Sequence, residues 1–462
     1  MATHNLIIGG GPAAINALET IREFDADAAI TLVCDEPAHS RMALPYWLSG
    51  KIPAQHTHTA DDAYFKKLGV QARIGERVAK VDPATNSVTL SGGDKLDFDN
   101  LLIATGSAPM SPPIPGKDLP GVQPLWSLAD TQSVLEATTG MERPRVVLVG
   151  AGFIGFIVLN AMFKRQWDLA VVERESQVLP RMLDATAAAG AEDYLTSLGV
   201  GIHTGTTVQA IKDGGSGKSV ELDNGTALPA DIVILATGIR PNLDLIDGSG
   251  IETDEGILVN DRMQTNFPNI YAGGDMAQGP DLYADKPAIH AIQTTAVDHG
   301  RVAGANMAGR QDVRYPGSLL MNIADVCGLQ CASFGYWDDP KAEPMVINNT
   351  AQHIYRKLLW TEDQLTGAIF TGDAKDVGML TDIGMVKGVL QTRTPLGGWK
   401  EFLRENPYDI RRAYIGAGVA QKLVGTTLTG RPARPRQFHF GGAKPVASVG
   451  QAHVAFMGTK PD

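Results

Sequence analysis

A chain of 462 residues, 44% of them apolar, is too long for one hydrophobic core and implies two to four separately packed domains. Acidic residues outnumber basic ones 51 to 40, and the net charge of −11 speaks against a nucleic-acid-binding surface. No apolar run approaches the ~20 residues of a membrane span, no signal peptide is recognisable ahead of the first strand, and three cysteines cannot build a disulfide framework. The expectation is a soluble, cytoplasmic protein that engages neither a membrane nor nucleic acid.

The chain opens on a short apolar strand, Leu6-Ile7-Ile8, that runs into Gly9-Gly10-Gly11-Pro12-Ala13-Ala14. This is the turn-into-helix pattern of a dinucleotide site, with alanine in the third glycine place. Gly9 permits the tight turn, Gly11 leaves room for a pyrophosphate to approach the backbone, and Ala14 lets the helix lie close on its sheet. The helix N-terminus, opened by Pro12, then makes an anion site without any basic side chain. After the second strand, Ile30 to Val33, a ribose-binding carboxylate is expected; Asp35 fills that place, with Glu36 as the neighbouring candidate.

Ser40 to Lys51 follows, with Arg41, Met42, Leu44, Pro45 and Tyr46 within it. Leu101 to Ile103 then closes on the small-residue turn Ala104-Thr105-Gly106, which allows backbone to pass close to a cofactor or an interdomain crossing. The proline-rich connection after Gly106 reads as that crossing. Beyond it the pattern returns: Val146 to Val149 is a buried strand, and Gly150-Ala151-Gly152-Phe153-Ile154-Gly155 is a second fingerprint. The strand Leu169 to Val172 ends in Glu173, where a carboxylate grips a ribose hydroxyl and repels the 2′-phosphate of NADP. Arg174 next to it softens the preference for NAD. Ile232 to Leu235 runs into Ala236-Thr237-Gly238, repeating the earlier turn. Two dinucleotide sites in one chain imply two cofactors and redox traffic between them.

The long motif Thr265 to Asp275, ending Gly273-Gly274-Asp275, is followed by an expected helix from Ala288 to Ala308 that carries His290, Gln293 and His299. No catalytic role falls to His290. From Ser318 the pattern changes to short apolar and aromatic strands, Ala332 to Trp337 and Leu358 to Trp360, with turns expected at Thr361–Asp363 and Thr371–Asp373; a small α+β domain is implied. Cys327 and Cys331 stand four apart, which suits neither a redox C-x-x-C nor an iron–sulfur cluster, and read as small buried apolar side chains. No metal site is expected. From Lys400 onward ten Lys or Arg face four Asp or Glu, which leaves −17 on the rest of the chain. Gly430 to Arg436 is expected to be an extended basic arm, packed on a partner or on the acidic body of the chain itself.

From His4 to about Gly309 these motifs resemble the pyridine-nucleotide:disulfide oxidoreductase superfamily, and Arg41-x-x-Leu44 in its place is similar to rubredoxin and ferredoxin reductases and to the flavin region of large nitrite reductase subunits. The resemblance implies a fold of class α/β, two Rossmann-like three-layer domains for FAD and NAD plus a small α+β C-terminal domain. It implies an FAD domain at 1–118 and 245–317, an NAD domain at 119–244 and, more loosely, a C-terminal interface domain at 318–400; beyond Lys400 the resemblance ends, and the basic composition assigns 401–462 to the arm. FAD would meet Gly9, Gly11, Pro12, Ala14, Asp35, Glu36, Ala104, Thr105 and Gly106, with Arg41 at its pyrophosphate, Leu44 and Pro45 beside the flavin ring, Gly274 close by and Asp275 on the ribityl chain. NAD(H) would meet Gly150, Gly152, Phe153, Ile154, Gly155, Glu173, Ala236, Thr237 and Gly238. Disulfide-using relatives carry a cysteine where this chain has Met42, and a thioether forms no thiolate. The implied activity is therefore FAD-dependent NAD(H) oxidoreduction toward an iron–sulfur or rubredoxin-type partner, which is either a separate carrier or another subunit of a larger metalloenzyme, such as an aldehyde oxidoreductase or nitrite reductase, with this chain as its flavin subunit. Two rival expectations are a self-contained NADH oxidase and a non-catalytic FAD- and NAD-binding assembly protein. A homo- or hetero-oligomer would form through the C-terminal domain and arm.

Overall fold

The computed structural model describes residues 3–215, 217–423 and 428–430. Two sheets of the same design form the first two thirds. In the first, five parallel strands lie in the order Ile270–Ala272, Asn100–Ile103, His4–Ile8, Ala29–Cys34 and Val70–Ile74. In the second the order is Gly201–His203, Asp168–Val172, Arg145–Val149, Ile232–Leu235 and Val122–Gln123, again parallel. The central strands are uninterrupted apolar runs because helices and antiparallel extensions cover both faces. Each unit also carries a three-stranded antiparallel sheet, Val78–Asp97 in the first and Val208–Ala230 in the second. Because Ile270–Ala272 pairs with Asn100–Ile103, the chain returns to the first sheet after building the second. A two-stranded ribbon, Ser107–Pro109 against Ile239–Pro241, joins the units where the chain leaves and returns.

The helix Pro12–Phe24 buries Ala13, Ala14, Ala17, Leu18 and Ile21 against the first sheet. Gln293–Met307 crosses it so closely that a side chain at Gly300 or Gly304 would run into the backbone of Ala13 or Ala17. This second helix begins five residues later than expected. Ala288 is held in backbone pairing with Gly279 and Ile292 is extended, so His290 precedes the helix instead of riding on it.

The C-terminal sheet is antiparallel, ordered Met321–Val326, Leu329–Gly335, Gln364–Asp373, Ile354–Thr361 and Glu343–Asn349. Its side chains alternate between two cores, as strands with both faces buried must. Leu329, Cys331, Tyr355 and Ile369 pack with Phe156, Leu159 and Met162 of the second unit. Ala332, Phe334, Leu358 and Phe370 pack instead under the helix Val377–Thr392. Thr371–Asp373, expected as a turn, continues a strand and pairs with Leu329–Cys331; the reversal lies at Glu362 and Asp363. Past Lys400, where a basic arm was expected, the chain first forms short helices at Trp399–Glu405, Ile410–Gly416 and Val419–Leu423, which add Leu403, Ile410, Ala413 and Val419 to the same core. Of the expected extended segment only Gly430 lies among the described residues.

Candidate functional site

The two glycine turns are built alike. Gly9 N–H donates to Val33 O at 2.8 Å, and Gly150 N–H donates to Val172 O at 2.8 Å. The turns have φ values of +109° and +104°, a region that L side chains rarely enter. A Cβ at Gly9 would strike the carbonyl of Ala104, and one at Gly150 the carbonyl of Ala236. Each Ala-Thr-Gly turn is thus pressed against its glycine turn, tied by Ala104 N–H to Ile8 O and Ala236 N–H to Val149 O, both 2.8 Å. By contrast, a Cβ on Gly11 or Gly152 would meet nothing within 4 Å. Both are extended N-caps, followed by Pro12 and Phe153-Ile154 in the first helical turn. The open space in front of them, beside helix N-termini, fits a diphosphate. Behind it the helices lie close: Ala14 is fully buried, and a Cβ on Gly155 would come to 2.5 Å of Gly150 O.

Glu173 is buried, and its carboxylate accepts Ala151 N–H at 2.6 Å and Glu175 N–H at 3.0 Å. It is fixed at the rim of the second cradle before any ligand arrives. Arg174 is largely exposed and paired with Glu175 at 3.1 Å. The matching hydrogen bonds of Val33 and Val172 make Cys34 the counterpart of Glu173 in the first unit. Asp35 is exposed, 3.7 Å from Arg77. Glu36 is partly buried, which raises its pKa, while His39 and Arg41 act in the opposite sense. The first unit therefore brings Glu36, rather than Asp35, into electrostatic reach of Arg41.

At the far end of the first cradle, Arg41 Nη1 lies 3.1 Å from Asp275 Oδ2, and Ser107 Oγ donates to the same oxygen at 2.7 Å. The guanidinium carbon stacks 3.8 Å above the ring of Trp126. Neither Ser107 nor Trp126 belongs to a fingerprint, and sequence reasoning passed over both. Gly274 has φ +81°, the turn that brings Asp275 to this point. Thr105 Oγ1 donates toward Asn242 O at 3.4 Å, while Asn242 Nδ2 donates to Thr105 O at 2.8 Å; Thr237 Oγ1 reaches Met110 O at 3.3 Å. Those bonds pin both Ala-Thr-Gly turns, with Gly106 and Gly238, to the interdomain ribbon. Leu44 is buried and opens the short helix Leu44–Leu48 with Pro45 in its first turn, while Met42 and Tyr46 are 41% and 48% exposed.

None of the three thiols is poised to ionise. Burial pushes Cys34 up to about 11, and Cys327 and Cys331 up to about 12. Among the described residues no cluster of three or more His, Cys, Asp or Glu is arranged for a metal ion, and no helix is long and apolar enough to cross a membrane. His290 Nε2 and Asp281 Oδ2 are 2.7 Å apart in a buried pair at the joint with the C-terminal domain, where Asp281 also bridges to Ser318. A surface groove of about 1010 Å³ lies between Trp167 and Tyr194 of the second unit and the Asp325–Leu329 turn; no fingerprint residue lines it.

Two glycine cradles facing one interdomain ribbon define a flavoprotein of the two-dinucleotide class. Residues 3–298 match the pyridine nucleotide-disulphide oxidoreductase family, and residues 321–383 match the rubredoxin NAD+ reductase C-terminal domain. The chain belongs to the pyridine nucleotide-disulphide oxidoreductase family. It is 31% identical over 414 residues to the NADH-dependent phenylglyoxylate dehydrogenase subunit epsilon of Aromatoleum evansii, covering 89% of this chain and 96% of that one. It is 33% identical over 333 residues to the NADH oxidase of Methanocaldococcus jannaschii, covering 70% and 74%. The fold matches that of the covalent putidaredoxin reductase–putidaredoxin complex, with a TM-score of 0.79 over 90% of this chain and 99% of that one at 24% identity. The protein is a NAD(P)H-dependent flavin oxidoreductase with sites for FAD and NAD(H).

Proposed function

We propose that the protein passes electrons between NAD(H), FAD and an iron–sulfur or rubredoxin-type partner, as the flavin subunit of a larger metalloenzyme such as an aldehyde oxidoreductase or nitrite reductase. The observation that carries this reading is Met42, which stands where disulfide-using relatives have a thiol, in a chain whose three described cysteines are all buried and held protonated. With no thiol beside the flavin, electrons must leave to an external acceptor. The match to a rubredoxin reductase C-terminal domain and the likeness to a dehydrogenase subunit support a protein acceptor. A cytoplasmic location and an oligomer formed through the C-terminal domain and arm accord with that role.

Residues 1–118 and 245–317 would form the FAD domain, 119–244 the NAD domain and 318–400 the interface domain. FAD would supply the conversion between the electron pair of one hydride and single electrons. In the first cradle the Gly9–Ala14 turn and Arg41 hold the diphosphate, Asp275 with Gly274 holds the ribityl hydroxyls, Asp35 or Glu36 the ribose, and Ala104–Gly106 the backbone floor. Leu44 and Pro45 keep water from the ring. In the second cradle Gly150, Gly152 and the helix opened by Phe153-Ile154 hold the diphosphate of NAD(H), Gly155 lets that helix approach, and Ala236–Gly238 line the floor. Glu173, already oriented by two backbone N–H groups, takes the ribose hydroxyls.

The test is anaerobic stopped flow. Mixing with NADH should bleach the flavin quickly, and oxidised rubredoxin should restore the colour far faster than air does. Restoration by air alone, as fast as by rubredoxin, replaces this reading with the NADH oxidase. Absent bleaching replaces it with the cofactor-binding assembly protein.

A further inference from the structure

We propose that Trp126 is a positioning residue that presets the Arg41 guanidinium for the diphosphate of FAD, and that it does so from the NAD-binding unit. The inference rests on the reading of Arg41 and Asp275 as FAD contacts. Four groups from four segments close a ring. The Trp126 ring lies 3.8 Å under the Arg41 guanidinium; Arg41 Nη1 is 3.1 Å from Asp275 Oδ2; Ser107 Oγ donates to that same oxygen at 2.7 Å; and Trp126 Nε1–H donates to Ser107 O at 2.8 Å. Each member is thus held by two others.

The physical case for preorganisation follows from the arginine side chain. It is long and rich in rotamers, and ordering it on ligand binding would be paid in entropy at that moment. An ion pair with Asp275 alone fixes one end of the fork but leaves its plane free to turn. Stacking on an indole fixes the plane. With Nη1 taken by Asp275, Nη2 lies over the Ala-Thr-Gly turn, 3.7 Å from where a Cβ of Gly106 would be. A planar fork held in this way suits phosphate oxygens.

Trp126 is itself rigid, and it belongs to the second unit. Its backbone N–H and that of Ser127 donate to Asp130 Oδ2 at 3.0 and 2.9 Å, while Asp130 N–H donates to Ser127 Oγ at 3.1 Å, the capping box of the helix Leu128–Ala137. Just ahead of it, Val122–Gln123 is the edge strand of the second sheet. The indole therefore reaches from the NAD unit into the FAD cradle, and a shift of one unit on the other would unseat Arg41.

The experiment compares FAD-stripped protein carrying Trp126→Leu, Trp126→Phe, Arg41→Ala or Arg41→Ala with Trp126→Leu, by FAD titration and by melting of the apoprotein. Trp126→Leu is expected to weaken FAD about tenfold with the apoprotein melting point unchanged, and Trp126→Phe, which keeps a stack but loses the Nε1–H donor, about threefold. In the Arg41→Ala background, Trp126→Leu should cost nothing further, because its effect runs through the guanidinium. Additive losses, FAD affinity within about twofold of the parent for Trp126→Leu, or a loss of affinity matched by a fall in apoprotein melting would overturn the proposal. If Arg41→Ala alone leaves FAD affinity unchanged, it is the assignment of Arg41 to the diphosphate that fails.

Discussion

Gly152→Ala separates space from strain in the second cradle. Gly152 has φ −80° and ψ 179°, a conformation alanine adopts freely, and its new methyl group would meet no protein atom within 4 Å. Folding should not suffer; restricting the unfolded chain should even stabilise the protein by about 0.4–1 kcal/mol. The methyl group would, however, stand in the space in front of the helix N-terminus that we assign to the diphosphate. Holding the nucleotide off by one methyl group should cost about 2–3 kcal/mol, or roughly 30- to 150-fold in NADH affinity. Gly150→Ala makes the control. There φ is +104° and the Cβ is driven into Ala236 O, so the protein itself should lose at least about 2–3 kcal/mol. Anaerobic NADH titration of the FAD-loaded proteins with the flavin reduced beforehand, so that no hydride is transferred, followed by nicotinamide fluorescence, reads the affinity, and thermal melting reads the stability. The reasoning is refuted if Gly152→Ala melts as early as Gly150→Ala, or if it binds NADH as tightly as the parent.

Three further outcomes follow from the same geometry. Glu173→Ala should relax the preference for NADH over NADPH, since the repelling carboxylate is gone; an unchanged ratio of kcat/KM for the two would remove Glu173 from the ribose. His299 is buried in the helix Gln293–Met307, and burial, with His290 adding to it, pushes its pKa down from 6.5 to about 3. The unfolded chain then takes up a proton that the native state refuses, so stability is complete above the unfolded value and falls as pH drops from 6.5 toward about 3, by up to ~1.4 kcal/mol per pH unit. His299→Gln should flatten that slope in urea melts run at neutral and mildly acidic pH, and an unaltered slope would place its origin elsewhere. Ending the chain after Lys400 should lower the melting point because it strips Leu403, Ile410, Ala413 and Val419 from the C-terminal core, and it should weaken rubredoxin reduction more than reduction of a small dye; equal losses would remove the segment after Lys400 from the partner.

The local parts of the site were legible in the sequence because their chemistry is local. A strand, a glycine turn and a helix start span about a dozen consecutive residues, and the demand that Gly9 and Gly150 adopt positive φ acts on one residue at a time. Glu173 was legible for the same reason, following its strand without a gap. Its counterpart was not, because Cys34 occupies the equivalent backbone position and the choice between Asp35 and Glu36 depends on where Arg41, His39 and Arg77 come to lie. The turn expected at Thr371–Asp373 became strand since its partner, Leu329–Cys331, lies some forty residues earlier, and ladder pairing outweighed local turn preference. Likewise the basic composition after Lys400 concealed Leu403, Ile410, Ala413 and Val419, whose burial depends on the helix Val377–Thr392 being there to receive them.

The sequence by itself determined that there are two cradles and in what order they come, since each is written in consecutive residues. Only the tertiary structure decided how the cradles are joined. Arg41, Ser107, Trp126 and Asp275 are spread over more than two hundred residues, and no period or spacing links them. They meet because the chain leaves the first sheet at Gly106, builds a second unit and returns through the ribbon at Ile239–Pro241, and a stack or an ion pair acts on distance in space, to which separation along the chain is indifferent.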